Sequence, residues 1–149
     1  MDFLTTGARE TQKIGRNLAK EIIQSKVKKT AMVLGLEGDL GGGKTTFLQG
    51  FARGLGIKEK ILSPTFIIMH KYKIPNAKYA IKNFYHFDCY RIKKAKEVSL
   101  LGFKEIISNP KNVVALEWAD RIKKIIPREN LWINFQFIDS NKRKIIIKY

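Results

Sequence analysis

Nine residues, Gly38-Asp39-Leu40-Gly41-Gly42-Gly43-Lys44-Thr45-Thr46, restrict this 149-residue chain more than any others. They carry the spacing G-x-x-x-x-G-K-[ST] of a phosphate-binding loop, the Walker A pattern. Such a loop needs a buried strand to deliver it and a helix to leave it. Both neighbours are present. Ala31-Met32-Val33-Leu34-Gly35-Leu36 is a short apolar run, suited to a strand covered on both faces. Behind the loop, Phe47, Phe51 and Leu55 recur at helical spacing, and Gly54 and Gly56 supply a stop. In this context the glycines let backbone N–H groups converge on phosphate oxygens where a side chain would clash. The helix beginning near Lys44 turns its positive end toward the same oxygens. Lys44 would reach the β- and γ-phosphates, and the Thr45 hydroxyl would ligate Mg²⁺. The ligand expected over residues 38–46 is therefore a nucleotide with Mg²⁺. An ordinary glycine-rich turn would not require the strand and helix around it.

A phosphate loop of this kind works with an acid at the end of a second buried strand. Val113-Val114-Ala115-Leu116-Glu117 has that form, which makes Glu117 the second candidate Mg²⁺ ligand beside Thr45. Trp118 follows it, either packed in the core or laid against the nucleotide site. His86-Phe87-Asp88-Cys89-Tyr90-Arg91 closes a strand-like stretch, and strand alternation puts His86 and Asp88 on one face. Asp88 is a candidate catalytic acid, placed to order the attacking water or the Mg²⁺ shell; its alternative is a turn residue. Ser63-Pro64-Thr65-Phe66 lies between the loop helix and the next strand. Thr65 there is a candidate switch residue sensing the γ-phosphate, or part of a plain turn.

The remaining pattern predicts one α/β domain over 1–149. Ile14, Leu18 and Ile22 mark an amphipathic helix over about Ala8–Gln24, capped by Thr5 or Thr6, behind a short edge strand at Phe3-Leu4. Phe66–Tyr72 and Tyr79–Asp88, rich in β-branched and aromatic residues, predict a hairpin. Short helical segments are expected near Lys96–Leu101, Phe103–Ile107 and Asp120–Ile126, and two terminal strands near Leu131–Ile138 and Lys144–Lys148. The expected fold is a P-loop NTPase-like three-layer sandwich, with a mixed sheet whose parallel core holds the loop and whose added strands are antiparallel. No stretch approaches the roughly 20 apolar residues of a membrane helix, and the N-terminus lacks the apolar core of a signal peptide. One cysteine, Cys89, excludes an intrachain disulfide and a cysteine zinc site. A cytoplasmic protein is expected. The formal net charge of +16, from 29 Lys+Arg against 13 Asp+Glu, suits attraction to RNA. The Lys-, Ile- and Asn-rich composition of an AT-rich genome accounts for it equally well.

"GDLGGGKTTF", "SPTF", "HFDCYR" and "EW", in this order, resemble the bacterial TsaE (YjeE) family. "GLGI" at 54–57 and "EVSLLGFKEI" at 97–106 extend the likeness over nearly the whole chain. The resemblance implies a P-loop ATPase of tRNA threonylcarbamoyladenosine biosynthesis. It would bind TsaB and TsaD, hydrolyse ATP to reset that complex, and leave the transfer itself to TsaD; tRNA would be met indirectly or by weak contact with the basic surface. It also implies that Lys44 binds phosphate, Thr45 and Glu117 hold Mg²⁺, Asp88 supports hydrolysis, and Ser63 and Thr65 belong to a switch-like loop. Trp118 and Thr11 would lie near the nucleotide, Thr11 near its base. Three positions depart from the family pattern: Gly42 for the usual Ala, which is expected to loosen the loop, Cys89 for Leu, and Ala119 for Pro or Ser. Two other classes share features of this chain. A small nucleotide or metabolite kinase has the loop but needs an arginine-rich lid and more chain. An RNA-binding module with a degenerate nucleotide site would suit the charge but not the intact Lys44, Thr45, Asp88 and Glu117.

Overall fold

A computed structural model describes residues 1–61 and 68–149. One seven-stranded sheet runs through it in the order β1-β7-β6-β2-β5-β4-β3. The strands are β1 (Asp2–Thr5), β2 (Met32–Gly38), β3 (Met69–Lys73), β4 (Asn83–Asp88), β5 (Asn112–Glu117), β6 (Leu131–Phe137) and β7 (Arg143–Lys148). Four central strands, β6-β2-β5-β4, are parallel. The flanking pairs β1–β7, β6–β7 and β3–β4 are antiparallel. This is the mixed α/β sheet anticipated from the sequence, with the parallel core at the loop.

The apolar runs are explained by layers on both faces. Leu34 and Leu36 of β2, with Val113 and Ala115 of β5, face α1 (Ala8–Gln24) and α2 (Lys44–Gly54). Val33, Val114 and Leu116 face the other way, toward α3 (Ala95–Ser99), α4 (Phe103–Ser108) and a 3₁₀ segment, Ala119–Ile125. Alternate residues thus serve opposite cores, so neither strand has a polar face to show. On the first face Phe47 packs edge-on against Phe135 at 5.4 Å, and Phe51 packs at a tilt against Phe84 at 5.5 Å. Helices α1 and α2 meet backbone to backbone. A Cβ at Gly50 would lie 2.0 Å from the Gln12 carbonyl, and one at Gly15 2.2 Å from that of Phe47. Glycine at both positions sets the helix separation.

Three local expectations change. The first helix starts behind Gly7, and neither threonine caps it by a side-chain bond. The Thr5 hydroxyl is buried against that of Thr11 at 2.9 Å, and the Glu10 carboxylate accepts the Thr6 N–H at 2.7 Å. The segment at 119–125 is 3₁₀ and breaks helical geometry at Ile122. Strand β4 begins at Asn83: Tyr79 and Ile81 are apolar because they pack against the first core from the preceding loop. The Ser63 and Thr65 expectations lie outside the described residues.

Candidate nucleotide site

The loop leaves the carboxyl end of β2, where the open α/β sheet places its crevice. Gly41 and Gly43 take φ values of +74° and +102°, accessible to glycine at little cost. Helix α2 starts at Lys44, directly behind Gly43. A cavity of about 410 Å³ opens over this turn. It is lined by Leu40, Gly41, Gly42, Gly43, Lys44, Thr45 and Thr46 from the loop, with Thr11, Glu117 and Trp118 across from them. Most of the sequence-derived candidates therefore share one wall system. Gly38 and Asp39 stand just behind it. Their carbonyls accept hydrogen bonds from Lys44 Nζ at 2.8 and 2.9 Å. The Asp39 carboxylate turns outward and accepts the Phe137 N–H at 3.1 Å.

Gly42 does not mark a slack loop. A Cβ there would stand 2.9 Å from the Asp39 carbonyl and 3.1 Å from Phe135 Cβ. The turn is already closed at that point by the Gly42 N–H bond to Asp39 O at 2.9 Å.

Lys44 is 6% exposed, and its Nζ lies 4.1 Å from the centroid of the Trp118 ring. Burial pushes its pKa below the ordinary lysine value, opposed by the nearby charge of Glu117 and, more weakly, Asp39, Asp120 and Asp88. Trp118 resolves its two sequence readings by doing both: one side packs on the second core, and the ring reaches Lys44 and the cavity. It is the single non-glycine residue with positive φ (+57°) among the described residues. That turn redirects the chain from β5 so that the indole points back over the loop.

Glu117 is 2% exposed and has both oxygens engaged. The Thr45 hydroxyl donates to Oε1 at 3.0 Å, and His86 Nε2 lies 2.6 Å from Oε2. Strand register explains the second contact. Glu117 and Asp88 are Cα partners across β5 and β4, and His86 opposes Ala115 one pleat earlier. Asp88 is thus beside Glu117 on the same face, half-buried, with Oδ1 accepting the Tyr90 N–H at 3.0 Å. It is outside the cavity lining. Behind it, Cys89 is fully buried, its N–H bonded to the Glu117 carbonyl at 2.9 Å. Burial pushes this thiol up to about 12.

The donor set fits Mg²⁺. Thr45 and Glu117 offer hard oxygen ligands 3.0 Å apart at the phosphate loop, and Mg²⁺ is commonly held by one or two protein oxygens plus substrate phosphates. No cluster of three or more His, Cys, Asp or Glu forms an all-protein cage among the described residues. The cavity also has a wall that the motifs did not reveal: Gly7 and Ala8 at the start of the first helix, Ser140 and Asn141 in the β6–β7 turn, and Arg143 at the start of β7. Arg143 Nε donates to Gly41 O at 2.6 Å, and its guanidinium lies 4.6 Å from the Phe137 ring centre. Only the long-range pairing of β7 with β6 and β1 brings these residues to the loop.

The family model described as "Threonylcarbamoyl adenosine biosynthesis protein TsaE" matches residues 5–145. A Rickettsia typhi protein named as a tRNA threonylcarbamoyladenosine biosynthesis protein TsaE is 37% identical over 93% of this chain and 90% of its own length. The Bacillus subtilis protein of that name is 41% identical over 76% of this chain and 66% of its own. A crystal structure of Bacillus subtilis YdiB superposes with a TM-score of 0.67 and 32% identity, covering 97% of this chain and 82% of that one. Among the described residues no helix is long and apolar enough to cross a membrane.

Proposed function

The chain belongs to the TsaE family and serves tRNA threonylcarbamoyladenosine biosynthesis, and from that premise we propose that it is the ATPase of the pathway, hydrolysing ATP with Mg²⁺ in complex with cytoplasmic TsaB and TsaD homologues. The product is ADP, phosphate and a reset partner complex; the transfer to tRNA belongs to TsaD. The observation that carries this reading is the convergence of Thr45 and Glu117 at 3.0 Å over the glycine loop.

This chain's residues divide the work. Loop N–H groups and Lys44 bind the β- and γ-phosphates, Lys44 exchanging its carbonyl contacts at Gly38 and Asp39 for phosphate oxygens. Thr45 and Glu117 hold Mg²⁺, which when bound neutralises charge developing on the phosphate oxygens. Asp88, beside Glu117, orders water toward that centre. Trp118 covers Lys44 and limits solvent, and Thr11 borders the nucleotide from the first helix. The arginine of the cavity wall, Arg143, is already engaged by the Gly41 carbonyl and the Phe137 ring, so hydrolysis is slow until the partners bind. The test is phosphate release by the protein alone and with TsaB and TsaD homologues, with Mg²⁺ and with chelator. Stimulation by the partners with Mg²⁺ supports the proposal. Fast turnover alone, or labelled phosphate appearing on a nucleoside or metabolite, sinks it and favours the kinase class.

A further inference from the structure

We infer that His86 is a positioning residue for the divalent cation: it fixes the carboxylate of Glu117 so that Oε1 faces Thr45. The inference rests on the metal role proposed for Glu117. A carboxylate at a strand end can rotate about its last bond and exchange its oxygens. Here Oε2 is held at 2.6 Å by His86 Nε2, while Oε1 meets the Thr45 hydroxyl at 3.0 Å. An ionised carboxylate only accepts, so Nε2 carries the hydrogen in this bond. The separation is shorter than the usual N–H···O distance.

His86 is itself immobile. It is 0% exposed, sits mid-strand in β4, and its ring stacks parallel to that of Phe84, with centroids 6.5 Å apart and planes within 4°. Its other nitrogen, Nδ1, is buried and finds no hydrogen-bond partner among the described residues. An imidazole serving only to fill the core leaves that nitrogen as a net cost, since a phenyl ring packs there without it. The orphaned nitrogen is tolerated because its twin orients Glu117. Partners of this kind behind a metal ligand typically alter metal affinity by about 10–100-fold.

A residue that merely lets Glu117 be buried would, when lost, weaken folding and every kind of binding together. A positioning residue acts on the divalent-dependent part alone. The experiment is calorimetric binding of ATP in chelator and across a Mg²⁺ titration, with thermal unfolding alongside, for the wild type and His86→Phe, His86→Gln and Glu117→Gln. His86→Phe keeps an aromatic ring, one ring atom larger, without the donor; His86→Gln returns an N–H near the Nε2 position. We expect His86→Phe to bind ATP in chelator within about two-fold of wild type and to need about tenfold or more Mg²⁺ for the same gain in affinity. His86→Gln should recover most of that gain. If His86→Phe does not fold, His86→Asn, whose shorter amide stops short of Glu117, takes its place against His86→Gln. A normal Mg²⁺ response in a folded donorless variant, while Glu117→Gln has lost it, overturns the positioning role alone. Equal loss of metal-free and metal-dependent binding overturns it too. A normal response in Glu117→Gln overturns the metal role itself.

Discussion

The two faces of the sheet are built differently. One carries α1 and α2, of 17 and 11 residues, locked through Gly15 and Gly50 over a stack of phenylalanines. The other carries α3 and α4, of 5 and 6 residues, and a 3₁₀ segment broken at Ile122. Short helices contribute little intrinsic stability, and on this side Leu100 is 76% exposed. The phosphate loop is anchored on the first face by α2. Trp118, whose ring covers Lys44, leads into the second. The gripping parts of the site are therefore held by the rigid layer, and its cover by the softer one.

The sharpest way to break this contrast is to remove one aromatic ring from each core. Phe51→Ala should cost about 3–5 kcal/mol by denaturant unfolding, because the helices around it cannot close the gap. Phe103→Ala, 2% exposed on the second face, should fall at or below about 3 kcal/mol, since short elements relax into the space. Equal costs would erase the distinction. Gly50→Ala should cost about 1–3 kcal/mol, because the added methyl meets backbone and not a movable side chain; a neutral result would show that α1 is free to shift.

The site residues sharpen the same comparison with smaller stability effects. Glu117→Ala strands the His86 Nε2–H and should cost about 1–3 kcal/mol, while abolishing the Mg²⁺ response of ATP binding. Lys44→Met should abolish ATP binding with little or no loss of stability, since burial already penalises the charged amine. The sign follows from linkage. The folded pKa lies below the unfolded one, so between them the unfolded chain holds the extra proton and stability rises with pH. Wild type should therefore gain on Lys44→Met as pH climbs from the depressed value toward 10.5, as read by denaturant midpoints along a pH series. Leu100→Ser, on the soft face, should shift stability by no more than about 0.5 kcal/mol; any effect there should appear in partner binding.

Much of this was legible in the residues, for physical reasons. The first helix shows itself because Ile14, Leu18 and Ile22 must meet one core. The central strands show themselves because both faces are covered, and the loop because only glycine serves its turns. Lys44, Thr45 and Glu117 follow from those elements by local rules. The His86–Glu117 contact does not, because it depends on the register of two strands 31 residues apart. Alternation had put His86 on the face of Asp88, but no local pattern shows which carboxylate it would meet. Arg143 and the 140–141 turn were invisible for the same reason. Tyr79 and Ile81 misled in the opposite direction: burial, not strand pairing, made them apolar.

Cys89 gives the protein a built-in stopwatch. Its sulfur sits behind the Glu117 strand end, on the soft side, sealed from solvent by the same burial that pushes its pKa up to about 12. A soluble thiol reagent can reach it only while that corner is open, and there is no second sulfhydryl to confuse the reading. The labelling rate therefore counts openings in the unmodified chain. Comparing that rate with ATP, with ADP and with neither would time how the cover of the site responds to its occupant.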